Sequence, residues 1–380
     1  MQTHADFDRI ITRRGTGCIK WDRFPKLDPF WIADMDFASP QVVLDAVHER
    51  AQHGVLGYAQ AHAGLIETLI KYMQSRHSLT MEENEIVHLG GLVPALSLAA
   101  RAFGRPGDAV MTCTPTYPPF LGVHNDAQMK VITVPHTQAD GQWGFDWNAM
   151  EAAVTPETKV FLLSNPQNPL GRVFTQHEMI LLAGFCERHD LILISDEIHC
   201  DLIFDDTATP HICAAGLPEN FQNRIITLLA PSKTYNIAGL GYAFAVIRDD
   251  SLRRKFSAAR GHTLPEINCL AYYAAEAAYN HGEPWRQELL TYLGKNRDTL
   301  TDFIRSRTPF IIPDIEATYL AWIDCRSMGV DNPAQHFEKE AGIYLTDGNY
   351  FGAPGHVRFN FGCPHSRVLE GIEKMAKVID

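Results

Sequence analysis

Six short apolar runs recur along the chain: DAVMTC (108–113), KVITVP (130–135), KVFLLS (159–164), LILIS (191–195), RIITLLA (224–230) and FAVI (244–247). Between about residues 45 and 270 they alternate with stretches of helical periodicity, which predicts an α/β unit with a mostly parallel sheet flanked by helices. Leu92, Ala95, Leu96, Ala99 and Phe103 follow the i, i+3, i+4, i+7, i+11 spacing of a buried helical stripe, and that helix opens just after Gly90-Gly91. From Trp285 to about Arg307, Leu289, Leu293, Leu300, Phe303 and Ile304 fall on one side of a long connecting helix. The tail beyond it mixes strands and helices. The expected organisation is an arm over 1–45 that packs on the small domain, a large domain over 46–280, and a small α/β domain over 281–380.

Three of the runs end in polar clusters at their carboxyl ends, where ligands collect in open α/β sheets. The first, FLLSNPQNPLGRV, carries Asn165 and Asn168 on a turn set by Pro166, Pro169 and Gly171; taken alone it also fits a plain Asn-Pro turn. The second, LILISDEIHCDLIF, places Ser195, Asp196, Glu197 and His199 directly after an apolar strand, where an acid could equally cap the next turn. The third, APSKT, sets Lys233 at the end of RIITLLA. On that segment alone a surface Lys is an equal reading. The sharper reading is an amine that works uncharged, as a Schiff-base former does.

One ligand would use all three clusters. Pyridoxal 5′-phosphate has an aldehyde that condenses with a Lys amine, a ring nitrogen that wants a carboxylate, and a 3′-oxygen that wants hydrogen-bond donors. Its phosphate needs a cradle, which the backbone N–H groups of Gly91, Leu92 and Val93 could form at the positive end of a helix. Gly-Gly before a helix is common, so the cradle adds little alone. Ser232 could add a hydroxyl.

Composition narrows the setting. The 380 residues are 46% hydrophobic, enough for one large domain and a smaller companion. A formal net charge of −12 with no dense Lys/Arg block argues against nucleic acid or an anionic membrane as the main partner. Eight dispersed cysteines with no C-x-x-C pair read as reduced thiols. No run approaches the roughly 20 apolar residues of a membrane span, and the amino-terminal stretch lacks a signal-peptide core. The expected location is the cytoplasm. The 17 His show no metal-ligand spacing.

Eight blocks in order carry a family resemblance: KWD (20–22), WIADMDF (31–37), HGVLGY (53–58), YPPF (117–120), NPQNPLGRV (165–173), SDEIHCDL (195–202), APSKTYNIAGL (230–240) and RFNFGCP (358–364). The chain resembles fold-type I, class I/II aminotransferase-like pyridoxal 5′-phosphate enzymes, and more narrowly the MalY/PatB-type cystathionine β-lyases, or C-S lyases. The resemblance implies a large domain with a mostly parallel seven-stranded sheet, a smaller α/β domain, and a homodimer with shared active sites. It implies that Lys233 binds the cofactor aldehyde and later moves the Cα proton, that Asp196 pairs with the ring nitrogen, and that Asn168 and His199 hydrogen-bond the 3′-oxygen. Tyr117 would lie on the ring face, Tyr58 would reach the phosphate of the neighbouring subunit, and Arg358, with Asn168, would hold the carboxylate of a small amino-acid substrate. Arg358 on its own would read as a surface ion pair, worth little.

The implied reaction is β-elimination from S-substituted L-cysteines, cystathionine giving homocysteine, pyruvate and ammonia. Aminotransfer is the alternative, because reaction choice rests on the substrate's Cβ and on proton delivery. A lyase that also binds a transcription regulator is a further alternative. Trp21, Asp22 and Trp31 read as structural, in an arm that could close over the site. The chain departs from the family pattern in two places: Gly90 stands where a Pro is usual, and Gly241 and Tyr242 stand where polar or small residues are common.

Overall fold

The computed structural model describes residues 5–139, 141–261 and 264–379. Its main sheet has seven strands: β1 (Ile86–Leu89), β2 (Ala109–Thr114), β3 (Lys130–Pro135), β4 (Thr158–Ser164), β5 (Ile192–Asp196), β6 (Ile225–Leu229) and β7 (Ala243–Val246). Their order is β1-β7-β6-β5-β4-β2-β3. All pairings are parallel except the two made by β7. Every residue of β2, β6 and β7 is buried, as expected for strands covered on both faces. Six strands coincide with the apolar runs. The seventh, β1, has the sequence IVHL, and only Leu89 of its four residues is buried. This short edge strand therefore carries no clear apolar signal.

Helix α1 (Leu92–Phe103) starts where the Gly-Gly pair predicts and packs its apolar stripe on the sheet with Val160, Leu162, Ile194 and Ile226. Helix α2 (Glu283–Arg307) buries Leu289, Leu293, Leu300, Phe303 and Ile304. Those residues share a core with the three-stranded sheet of β8 (Leu320–Asp324), β9 (Thr346–Asp347) and β10 (His356–Asn360).

The amino-terminal arm joins that second core. Asp28-Pro29 pairs in parallel with Ile343-Tyr344, and Phe30 stacks on Phe359 at 4.5 Å. The segment 31–37 then runs between the two parts of the chain and is held from both. Asn236 receives the Met35 N–H and donates to the carbonyls of Met35 and Phe37, while Asn360 donates to the Asp34 carbonyl at 2.8 Å. Beneath it Lys20, 2% exposed, donates to Asp36 at 2.9 Å, and Arg13 donates to both Asp34 and Asp36. A buried ammonium persists only with such partners. Residues 31–37 thus form a strap between the two parts, tied by charge and backbone bonds on both sides.

Candidate active site

The carboxyl ends of β4, β5 and β6 open onto a cavity of about 450 Å³, roofed by the strap and floored by the start of α1. It brings together Gly91, Leu92, Val93, Tyr117, Asn168, Asp196, His199, Ser232, Lys233 and Arg358. Tyr58 does not line it. That side chain is fully exposed on a segment where Val55 and Leu56 are also exposed.

Asp196 ends β5, is 4% exposed, and accepts one backbone N–H, from Ile198 at 3.1 Å. It thus both caps the following turn and faces the cavity. Burial pushes its carboxyl up to about 7, and no cation among the described residues bonds to it. His199 is 2% exposed; burial, with Lys233 and Arg358 adding to it, pushes its imidazole down to about 3, so the ring is neutral. Its Nδ1 is buried with no partner.

Lys233 follows β6 and donates to the Ala33 carbonyl of the strap. Burial brings its amine down to about 8, against the pull of Asp34 and Asp196. This answers the question raised by APSKT: burial loosens the proton on this amine, so a far larger fraction is neutral near pH 7–8 than for a surface Lys.

Arg358 on β10 is 5% exposed and meets no carboxylate among the described residues. Its Nη1 donates to Asn168 Oδ1 at 3.0 Å, its Nη2 to the Trp31 carbonyl at 2.7 Å, and its guanidinium lies 4.9 Å from the Phe351 ring. Its Nε is buried without a partner, and burial pushes the group down to about 10. A buried cation without a counter-ion is costly, and a carboxylate arriving in the cavity would relieve that cost. The surface ion-pair reading of Arg358 fails on this geometry. Asn168 orients the guanidinium through this bond.

These features fit pyridoxal 5′-phosphate. Asp196 is an isolated acid that a protonated ring nitrogen would ionise, Lys233 is the amine for the aldehyde, and His199 offers an unused ring nitrogen. At the start of α1, a Cβ added to Gly90 would meet nothing within 4 Å and would project into open space. Three contributors escaped the strand-end reading: Trp31, the Ala33 carbonyl and Thr346, whose hydroxyl donates to the Trp31 carbonyl at 3.0 Å. Trp31 is structural through its indole N–H on Lys20, yet it also walls the cavity. No local motif marks these groups. The WIADMDF block is the one signal that could have pointed to the first two.

The family model for aminotransferase class I and II matches residues 30–375. Among curated relatives, cystathionine beta-lyase PatB of Bacillus subtilis (strain 168) is 33% identical over 97% of this chain and 98% of PatB. Among solved structures, OvoB superposes with a TM-score of 0.95 at 37% identity, covering 98% of this chain and 99% of OvoB. The PLP-bound C-S lyase from Staphylococcus hominis superposes at 0.93 with 30% identity, covering 100% of this chain and 99% of that one. With Lys233, Asp196 and Arg358 gathered in one cavity, the chain belongs to the class I and II aminotransferase family of pyridoxal 5′-phosphate enzymes, in its MalY/PatB-type cystathionine β-lyase branch.

Proposed function

We propose that this chain catalyses β-elimination from S-substituted L-cysteines of the cystathionine type, releasing a thiol, pyruvate and ammonia. The observation that carries the proposal is one cavity holding an unpaired buried guanidinium and an amine near neutrality. Pyridoxal 5′-phosphate, when bound, would supply the acceptor for the electron pair left at Cα.

Arg358 binds the substrate carboxylate through the parallel donors of its planar fork, displacing nothing charged as it does so. That anchor orients Cα toward Lys233. Lys233 Nζ takes the Cα proton, a role worth roughly 10²–10⁴ in rate. The electron pair left at Cα then forms the Cα–Cβ double bond as the Cβ–sulfur bond breaks with its own pair leaving on sulfur; Lys233 gives its proton to the thiolate, and water hydrolyses the released enamine to pyruvate and ammonia. Asp196 would pair with the cofactor's ring nitrogen and favour its protonated form. Asn168 and neutral His199 would offer hydrogen bonds to the cofactor's 3′-oxygen, and Tyr117 would pack against the ring. The N–H groups of Leu92 and Val93, with Ser232, take the phosphate.

Two further placements belong to the same proposal. A second copy of the chain covers the exposed Val55, Leu56 and Tyr58, so that Tyr58 completes the partner's phosphate site. The reaction runs in the cytoplasm, in keeping with eight unpaired cysteines, seven of them buried. Among the described residues no helix is long and apolar enough to cross a membrane.

Lys233→Ala tests the mechanism. The variant is expected to lose thiol release from L-cystathionine while still binding the cofactor's phosphate; lyase turnover retained by purified variant would overturn the assignment.

A further inference from the structure

Behind the turn that carries Asp196 and His199, three side chains outside the cavity converge. They are His77, the last residue of the helix Ala63–His77, with Cys200 and His211; one ligand atom from each lies within 4.8 Å of the others. The turn connects them to the active site, because Cys200 directly follows His199.

The second layer around them is built. His77 Nε2 lies 2.9 Å from Asp201 Oδ1, and His211 Nε2 lies 2.8 Å from Glu197 Oε2. All four side chains are at most 3% exposed. Glu197 is fixed in turn by the Ser195 hydroxyl and the Ala214 N–H, each donating at 2.8 Å. A carboxylate that holds one imidazole nitrogen as N–H leaves the other with a free electron pair, the arrangement found behind metal-binding histidines. In His211 that other nitrogen, Nδ1, is buried and has no partner. The Cys200 thiol is buried as well.

We propose that His77, Cys200 and His211 bind one zinc ion. Two imidazoles and a thiolate suit a borderline-soft ion and disfavour magnesium or calcium. Ligand atoms around tetrahedral zinc stand roughly 3.3–3.8 Å apart, so the trio must draw in by about 1 Å, within reach of side-chain rotation. On binding, Cys200 releases one proton to solvent and its sulfur coordinates the metal; water takes the fourth position. The ion ties the end of the helix Ala63–His77 to the turn that presents Asp196 and His199, and so acts on cofactor positioning from behind.

The test uses purified holoenzyme incubated with zinc chloride, desalted and assayed for zinc per chain. Wild type and Cys186→Ser, a buried thiol in a separate core, are expected to retain one zinc, and Cys200→Ala and His211→Gln to lose it. Calorimetry in buffers of different ionisation enthalpy should report one proton released per zinc bound. Absence of stoichiometric zinc in wild type, or one zinc retained by Cys200→Ala, overturns the proposal. Zinc-edge anomalous diffraction from zinc-soaked wild-type crystals decides independently of any variant's folding. A peak among the three side chains supports the site, and a peak elsewhere or none overturns it.

Discussion

Replacing Arg358 by Leu removes a buried cation that meets no carboxylate among the described residues, and its effect can be worked from the contacts. The guanidinium is held by Asn168 Oδ1, the Trp31 carbonyl and the Phe351 ring, with Nε left over, so the fork is already oriented before substrate arrives. Truncating one partner of a buried, hydrogen-bonded charge pair costs about 2–5 kcal/mol. At about 1.4 kcal/mol per tenfold, that is a loss of roughly 30- to 4,000-fold in kcat/KM for L-cystathionine. The carboxylate does not change during the reaction, so the loss should sit mainly in KM, with kcat altered by less than about tenfold. Arg358→Lys keeps the charge without the planar fork and should fall between wild type and Leu. Steady-state kinetics with coupled pyruvate detection measures all three. A Leu variant with unchanged KM and a collapsed kcat would refute the carboxylate role and place Arg358 in the chemistry instead.

Further outcomes follow from other contacts. Asp196→Asn keeps the shape and removes the charge that would hold the ring nitrogen protonated, so kcat should fall by about 2–5 kcal/mol in the same terms, with bound cofactor retained in the absorbance spectrum. An Asn variant within about tenfold of wild-type kcat would remove that role. Lys20→Met leaves Asp36 with Arg13 and the Trp21 indole N–H only, and should destabilise the protein by about 3 kcal/mol or less in urea unfolding, below the cost of an uncompensated buried charge; an unchanged midpoint would contradict the strap's anchoring. Burial raises the Asp36 carboxyl, but the charges and hydrogen bonds of Lys20, Trp21 and Arg13 outweigh it and hold the group below its usual 3.8. Its contribution is therefore complete above about 3.8 and is lost as pH falls through the lower folded-state value, so wild type should lose stability below pH 3.8 more steeply than Asp36→Asn. Tyr58→Ala and Lys233→Ala subunits, each inactive alone, should regain turnover when refolded together, since one site of the mixed dimer is then intact; no recovery would speak against shared sites.

Much of this fold was legible because sheet strands covered on both faces are apolar along their length; six of the seven coincide with apolar runs, including the antiparallel β7 and the largely uncovered edge strand β3. Ile86–Leu89 does not: it lies at the sheet edge, includes His88, and buries only its last residue. In the site, Asn168, Asp196, His199 and Lys233 could be found from position, each following an apolar strand. Trp31, Ala33 and Thr346 could not. They reach the cavity from the arm and the small sheet through backbone carbonyls and long-range hydrogen bonds that leave no periodicity. Arg358 sits between these cases. Its block was recognisable by resemblance, but only burial without a carboxylate separates it from an ordinary surface Arg.

The central claim is the reaction itself, and it is tested most directly by incubating purified protein and added pyridoxal 5′-phosphate with L-cystathionine in the absence of any oxo-acid acceptor, and measuring pyruvate and free thiol together. The account predicts both products in equal amounts over many turnovers. Neither product without an acceptor, followed by amino transfer once an oxo acid is supplied, would contradict it and assign this cavity to transamination.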